Sequence, residues 1–348
     1  MNAIAKEGAY DQKKCPEFII LQDENSCTSK RYYSNMSVLI ISNSDNTHAN
    51  AVESELLERS TEVIRIDMDS ILKLPSSFSM HFPFQDNFIC IGKNIPLSEI
   101  TGIFVHHPRL NIPESFGTDE IDRDLFASGW KNLLNWLEIQ FPTAIWINRP
   151  SFGQCASSVV LQLDIASKHG IRTPDSIFTN SIEALKQFAL KHEKIILKGS
   201  LVGVTMDSNR LLSHIITPDS IDPKVLLSSP CLFQEYIEKD FELRVHVLND
   251  IVLSCKIESQ SNKHTQIDWR NYAISQTPHR PIDLNEKLLN ILRAITKELQ
   301  LELGIMDLIV TPSGDAVFLE CNSQGHWLWI EKLTGLSITK AVVDRLQS

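Results

Sequence analysis

Residues 307–336 read DLIVTPSGDAVFLECNSQGHWLWIEKLTGL. Two strand-like runs, IMDLIVT and AVFLECN, flank the segment PSGD. Gly314 and Asp315 suit a tight reversal, so the segment predicts an antiparallel pair. Asp307 then lies on one strand, with Glu320 and Asn322 on its neighbour. Glu320 and Asn322 are two residues apart and share a face. Three hard oxygen donors there suit Mg²⁺ bridging nucleotide phosphates. Two carboxylates this close repel unless a cation separates them. The same spacing also fits a solvated hairpin with ordinary surface acids, and the hairpin alone leaves both readings open. After it, Gly325 lets the backbone turn, and Trp327 and Trp329 are expected to share a face that packs the turn in place.

Upstream of this pair the pattern stays strand-rich. CLFQEYI, FELRVHVLND and IVLSCKIESQ follow one another, the last two as a hairpin turning at Asn249-Asp250. A helix is expected over about 284–302. The chain's beginning differs. SVLIIS (37–42), the helically spaced NTHANAVESELLER and the strand TEVIRIDM form a βαβ opening. Its first turn lacks a glycine-rich phosphate fingerprint, so no nucleotide is assigned there. FSMHF and NFICIG read as a hairpin, ITGIFVHHPR as a strand, 119–140 as a long helix, and AIWINRPS closes the unit. Next come a helix stopped by Gly170, the strand IRTPDSIFTN, a helix with Ser181 as N-cap, and the strand KIILKGS with RLLSHIIT as partner.

These patterns divide the chain into a polar arm (1–35), an α/β domain (36–150), a central domain (151–230) and a C-terminal domain (231–348). With 348 residues, 43% of them hydrophobic, a sizeable core is available. A net charge of −10 argues against nucleic-acid binding through a broad basic surface. No apolar run reaches the length of a membrane span, and the first residues lack a signal-peptide profile. Seven scattered cysteines without a CxxC pair read as free thiols in a reducing cytoplasm.

Other chemistry-bearing residues are scattered upstream. Lys198 ends the apolar strand IILK beside the small residues GSLVG, where a lysine can reach phosphate oxygens or simply snorkel from an edge. Glu235 and Glu242 flank a short linker in FQEYIEKDFELR. Arg244 lies two residues after Glu242, so the two can pair or serve a ligand separately. Arg270, in DWR, is a second arginine fit for bidentate anion contacts. His106 and His107 are adjacent on a strand, point to opposite faces and read as packing residues rather than a metal pair.

The order Lys198, Glu235–Ile237, Glu242, Asp307, Glu320, Asn322 resembles the ATP-grasp superfamily. WINRP, QLDIASKHGIRTPDSIFTN, ELRVHVLNDIV, DWR and FLECNSQGHWLWIE resemble its graspetide synthetase branch, the microviridin-type peptide ligases. The likeness runs over about 36–348. It implies an α/β fold: a pre-ATP-grasp domain, a central domain and a C-terminal α+β domain, with ATP between the last two. It implies ATP-dependent phosphorylation of Asp or Glu side chains in a ribosomally made precursor peptide, then macrocyclic ester or amide formation with Ser, Thr or Lys. The precursor's leader segment would dock on the central domain, and a homodimer is compatible with the family. Lys198 would hold ATP phosphates, Glu235, Tyr236 and Ile237 the adenine, and Glu242 the ribose. Asp307, Glu320 and Asn322 would hold Mg²⁺, and Arg244 and Arg270 would stabilise the acyl-phosphate. Two positions depart from the family pattern. Val159 stands where a lysine commonly begins the helix, and HHPR replaces paired arginines. A carboxylate–amine ligase acting on a small molecule or a peptide terminus and a non-catalytic nucleotide- or peptide-binding protein are the alternatives.

Overall fold

The computed structural model describes residues 37–69, 78–79, 87–90, 93–96, 99–109, 120–198, 214–261 and 277–348. The arm 1–35, the GSLVG stretch after Lys198 and the DWR segment with Arg270 lie outside the described residues.

The βαβ opening forms as expected: β1 (Ser37–Ser42), α1 (Thr47–Glu58) and β2 (Glu62–Asp67). Every residue of β1 is buried, which explains its unbroken apolar run. A small antiparallel sheet follows, of β3 (Phe78–Ser79), β4 (Asn87–Cys90) and β5 (Lys93–Pro96). Then come β6 (Ile100–Val105), α2 (Glu120–Gln140) and β7 (Ile145–Ile147). The first sheet is parallel, in the order β2-β1-β6-β7. Leu133 and Leu137 of α2 bury one of its faces.

The central region holds α3 (Pro150–Ala156), α4 (Val159–Lys168), β8 (Ser176–Thr179), α5 (Ile182–Ala189), β9 (Ile195–Lys198), β10 (His214–Ile216), α6 (Pro223–Ser228) and β11 (Cys231–Glu235). Ser181 caps α5 by accepting from the Ala184 N–H. The antiparallel sheet order is β10-β9-β11-β8. This sheet takes in Cys231–Glu235, beyond the expected division at 230. Leu185, Phe188 and Leu226 cover one face through Ile195, Leu197 and Phe233. Strand alternation therefore turns Ile196, Lys198 and Leu232 to the other face.

The C-terminal region comprises β12 (Phe241–Leu248), β13 (Ile251–Ile257), β14 (His279–Pro281), α7 (Glu286–Glu298), β15 (Leu303–Val310), β16 (Ala316–Asn322), α8 (Leu328–Thr334) and α9 (Ile338–Leu346). Its sheet is antiparallel, β14-β13-β12-β15-β16. Asn285 caps α7, and Leu288, Ile291, Leu292, Ile295 and Leu299 recur at helical spacing toward the core. α4 and α7 cover one face of this sheet through Leu243, Val245, Val247, Met306, Leu308 and Phe318.

The last helix belongs spatially to the first sheet. Val342, Val343 and Leu346 of α9 share a core with Val38, Ile40 and Phe104. A Cβ at Gly102 of β6 would lie 2.5 Å from the Leu346 carbonyl oxygen. Backbone cannot yield as a side-chain tip does, so Gly102→Val is expected to cost about 1–3 kcal/mol by overpacking. Thermal unfolding measures this, and an unchanged midpoint would contradict the close approach.

Candidate active site

The hairpin at 307–322 is present, and its register accounts for the direction of its side chains. Asp307 pairs with Glu320, but Leu308 pairs with Phe318, which leaves Leu319 as an extra residue in β16. This bulge shifts the phase of alternation. Phe318 and Cys321, three apart, both enter the core beneath α4. Glu320 and Asn322 consequently turn to the opposite face with Asp307. A straight strand would have put Glu320 on the same side as Phe318.

On that face, Arg244 lies directly across from Asp307 on β12. Its Nη1 donates to both Asp307 oxygens, at 2.8 and 2.7 Å. Arg244 and Asp307 are buried. The pairing of Arg244 with Glu242 that sequence spacing allows is not formed. Glu242 instead accepts from Lys239 at 2.8 Å, and both side chains are buried. The Asn322 amide nitrogen lies 3.4 Å from Asp307 Oδ2 and 3.5 Å from Glu320 Oε1. Lys198 reaches across from the central sheet, its Nζ 3.6 Å from Glu320 Oε2. Arg244, Lys198 and the Asn322 amide thus surround the two carboxylates with positive charge and donors. Two carboxylates and an amide oxygen, reached by rotation of Asn322, are a hard donor set that fits Mg²⁺. Among the described residues no three His, Cys, Asp or Glu side chains form a metal-ligand group. Cys321 points into the core, where burial pushes its thiol up to about 12 and keeps it protonated.

The other expected residues lie at the end of β11 and just beyond it. Glu235 ends β11, and its carboxylate accepts from the Asp175 N–H at 2.9 Å. The Tyr236 N–H donates to the Lys194 carbonyl at 3.0 Å, and Lys194 Nζ sits 5.6 Å from the Tyr236 ring centre. Ile237 follows, half-buried. Val159 is the first residue of α4 and packs against the core.

The loop after β16 covers Arg244. A Cβ at Gly325 would lie 2.8 Å from Arg244 Nη2, so a side chain there would push the guanidinium aside. Three histidines grip the surroundings of this loop. His107 donates from its backbone N–H to the Gln324 side chain (2.9 Å), and its Nε2 donates to the Gln324 carbonyl (2.6 Å). His48 Nε2 accepts from the N–H groups of Trp327 (2.9 Å) and Leu328 (3.3 Å). His106 stacks on His48, ring centres 4.9 Å apart, with its Nδ1 against Asn46. His107 and His106 are therefore packing residues, and their role is to hold this loop. His326 stacks on His107 at 5.3 Å.

Trp327 and Trp329 do not share a face. They sit at the start of α8, where residues two apart diverge by about 200°. Trp327 is fully buried and its indole donates to Thr339, whereas Trp329 donates to the His326 carbonyl and packs edge-on to His279.

The acceptor role of His48 requires a neutral ring. Burial, then the charges of His326 and His107, lowers its pKa from 6.5 to about 3. Burial lowers that of His106 to about 2, with His48, His107 and His326 adding to the effect. Below pH 6.5 the unfolded chain binds protons at these positions that the folded chain refuses, so stability rises with pH across this window. It is fully present above about pH 6.5 and declines as pH falls toward about 3. Melting temperature is expected to drop between pH 7 and 5, and less steeply in His48→Gln. A pH-independent melting temperature would contradict the neutral cradle.

Sequence reading missed three polar residues that build the site from behind: Lys239, Asn148 and Gln162. Asn148, of WINRP, donates to the carbonyls of Leu303 (2.8 Å) and Ser323 (2.6 Å) and accepts from the N–H groups of Glu302 (2.8 Å) and Leu303 (3.0 Å). Gln162 bonds to both backbone groups of Cys321. Each amide interrupts an apolar run, and that is the available signal: a buried amide must have partners.

A lysine on one antiparallel sheet thus approaches an Asp-Glu-Asn set on another. Comparison with solved structures shows that the fold is the ATP-grasp fold. It aligns with a RiPP-associated ATP-grasp ligase of Chryseobacterium gregarium, solved with ADP and a leader and core peptide, at 25% identity and TM-score 0.78, over 89% of this chain and 96% of that one. It aligns with the macrocyclase MdnC of Microcystis aeruginosa, bound with precursor peptide MdnA, at 23% identity and TM-score 0.76, over 90% and 100%. The VanG D-Ala:D-Ser ligase of Enterococcus faecalis is more distant, at 17% identity and TM-score 0.56, over 90% and 98%. No protein-family model and no curated protein matches the chain. The fold is that of ATP-grasp ligases, and RiPP-associated peptide ligases are among the structures it is similar to. No helix among the described residues is long and apolar enough to cross a membrane.

Proposed function

We propose that this chain is an ATP- and Mg²⁺-dependent peptide macrocyclase. It activates Asp or Glu side chains of a ribosomally made precursor peptide as acyl-phosphates, and Ser, Thr or Lys side chains displace phosphate to close esters or amides. The observation that carries this reading is the 3.6 Å approach of Lys198, from the central sheet, to Glu320 on the C-terminal sheet. A phosphate chain would part this pair, with the cation on one side and the carboxylate–amide set on the other. Asp307, Glu320 and Asn322 would hold Mg²⁺, which supplies charge neutralisation at the phosphates. Lys198 binds phosphate oxygens. Glu235, Tyr236 and Ile237 border the adenine, and Glu242, oriented by Lys239, meets the ribose. Arg244, released from Asp307 as Mg²⁺ binds, would turn its guanidinium to the developing acyl-phosphate charge, with Arg270 as the second arginine. Such catalysis is mainly positioning and charge stabilisation. The structural neighbours bound to leader, core or precursor peptides support a peptide substrate.

The test is mass spectrometry after incubation with ATP, Mg²⁺ and a candidate precursor, an acidic, Thr-rich peptide. Loss of one water per ring is the expected result. ADP formation with an unchanged peptide, but with a small carboxylate and amine joined, would instead favour a small-molecule ligase.

A further inference from the structure

The Glu320–Asn322 segment belongs to an edge strand: β16 ends the sheet order, and α4 packs over it. An edge strand presents backbone groups that no neighbouring strand pairs; the Arg172 carbonyl meets this edge at the Phe318 N–H, three residues before Cys321. At Cys321, the residue between the two proposed ligands, a side chain takes that place. The Gln162 Nε2 donates to the Cys321 carbonyl at 2.7 Å, and its Oε1 accepts from the Cys321 N–H at 2.7 Å. Gln162 also donates to the Ala156 carbonyl, which ties the amide to the end of α3. It is 1% exposed, so water does not substitute for these bonds. One residue beyond Asn322, the Ser323 carbonyl accepts from Asn148 at 2.6 Å. Asn322 thus stands between two pinned backbone positions, and Glu320 stands between the Leu319 bulge and one of them.

We propose that Gln162 is a positioning residue for metal binding, setting the direction of Glu320 and Asn322 by imitating a sixth strand at Cys321. Its amide is the only common side chain of this length that offers both a donor and an acceptor. The bulge alone turns Glu320 off the core face. The Gln162 clamp keeps it there, against slippage of an edge strand toward an unbulged register. This inference rests on the proposed function, because it concerns the Mg²⁺ ligands of that site.

The test compares the Mg²⁺ dependence of ATP binding, by calorimetry, in the native chain, Gln162→Met, Gln162→Glu and Gly102→Ala. Gln162→Met removes both bonds at similar volume, and Gln162→Glu keeps the acceptor. The Mg²⁺ concentration for half-saturation is expected to rise about 10–100-fold in Gln162→Met, as for other residues that orient metal ligands, and less in Gln162→Glu. ATP binding without Mg²⁺ stays at the native level in both. Gly102→Ala, far from the site, lowers stability without moving the Mg²⁺ dependence. If Gln162→Met does not fold, Gln162→Glu carries the comparison. Native Mg²⁺ dependence in the folded variants overturns the role of Gln162 while leaving the proposed function intact. Equal loss of affinity with and without Mg²⁺ overturns it too. ATP binding that ignores Mg²⁺ in the native chain overturns the metal site itself.

Discussion

Glu320→Ala is expected to lower ATP turnover on the order of 10²–10³-fold, the usual cost of removing one preorganised charge partner from a reacting site. Glu320 faces Asp307 across the strands and lies 3.6 Å from Lys198. Its loss removes one Mg²⁺ ligand and frees Lys198 from a carboxylate that helps place it. The fold survives, because Glu320 points away from the Phe318 core and only half-buries. Steady-state ADP release by purified, folded variant measures the effect. Activity within a few-fold of the native level would sink the assignment of Glu320 as a ligand. Glu320→Gln keeps the oxygen donor and loses the charge, so an intermediate loss separates coordination from electrostatics.

Arg244→Met should destabilise the free protein by about 3–5 kcal/mol, because it strands Asp307 as a buried charge without its cation. The pair is 6% and 8% exposed and doubly bonded, so solvent does little to compensate. Mg²⁺ with ATP should restore part of that stability, since a divalent ion at Asp307 replaces the missing guanidinium. Denaturant melts with and without Mg²⁺·ATP provide the measurement. A loss under about 1 kcal/mol would mean that Asp307 is relieved in another way and that the ion pair is not the apo-state counterpart of the metal. The double variant Arg244→Met/Asp307→Leu should recover much of the single variant's loss, because it removes both charges.

The sequence carried the fold's outline well because most of its elements have strong local signals. The apolar run SVLIIS has to be a buried parallel strand, and Asn249-Asp250 marks its hairpin without reference to anything distant. The site was legible as a set of residue types in order: Asp307, Glu320, Asn322 and Lys198 do converge. Their surroundings were not legible, for three physical reasons. The Leu319 bulge is a matter of register, which strand propensity does not encode. The partners of Arg244 and Glu242 depend on cross-strand pairing and a loop lysine, so shared-face spacing suggested a pair that tertiary contacts replace. Trp327 and Trp329 are expected to share a face only while the helix start at Leu328 is unknown. Asn148 and Gln162 lie in segments whose periodicity says helix or strand; the backbone groups they satisfy are about 150 residues away in sequence.

The most direct test of the central claim is calorimetric titration of the native chain with ATP in the presence and absence of Mg²⁺. If Lys198 and the Asp307–Glu320–Asn322 set hold a metal-bound triphosphate, ATP binds tightly only with Mg²⁺, and Glu320→Ala abolishes that difference. Binding of equal strength with and without Mg²⁺, unchanged in Glu320→Ala, would contradict the account.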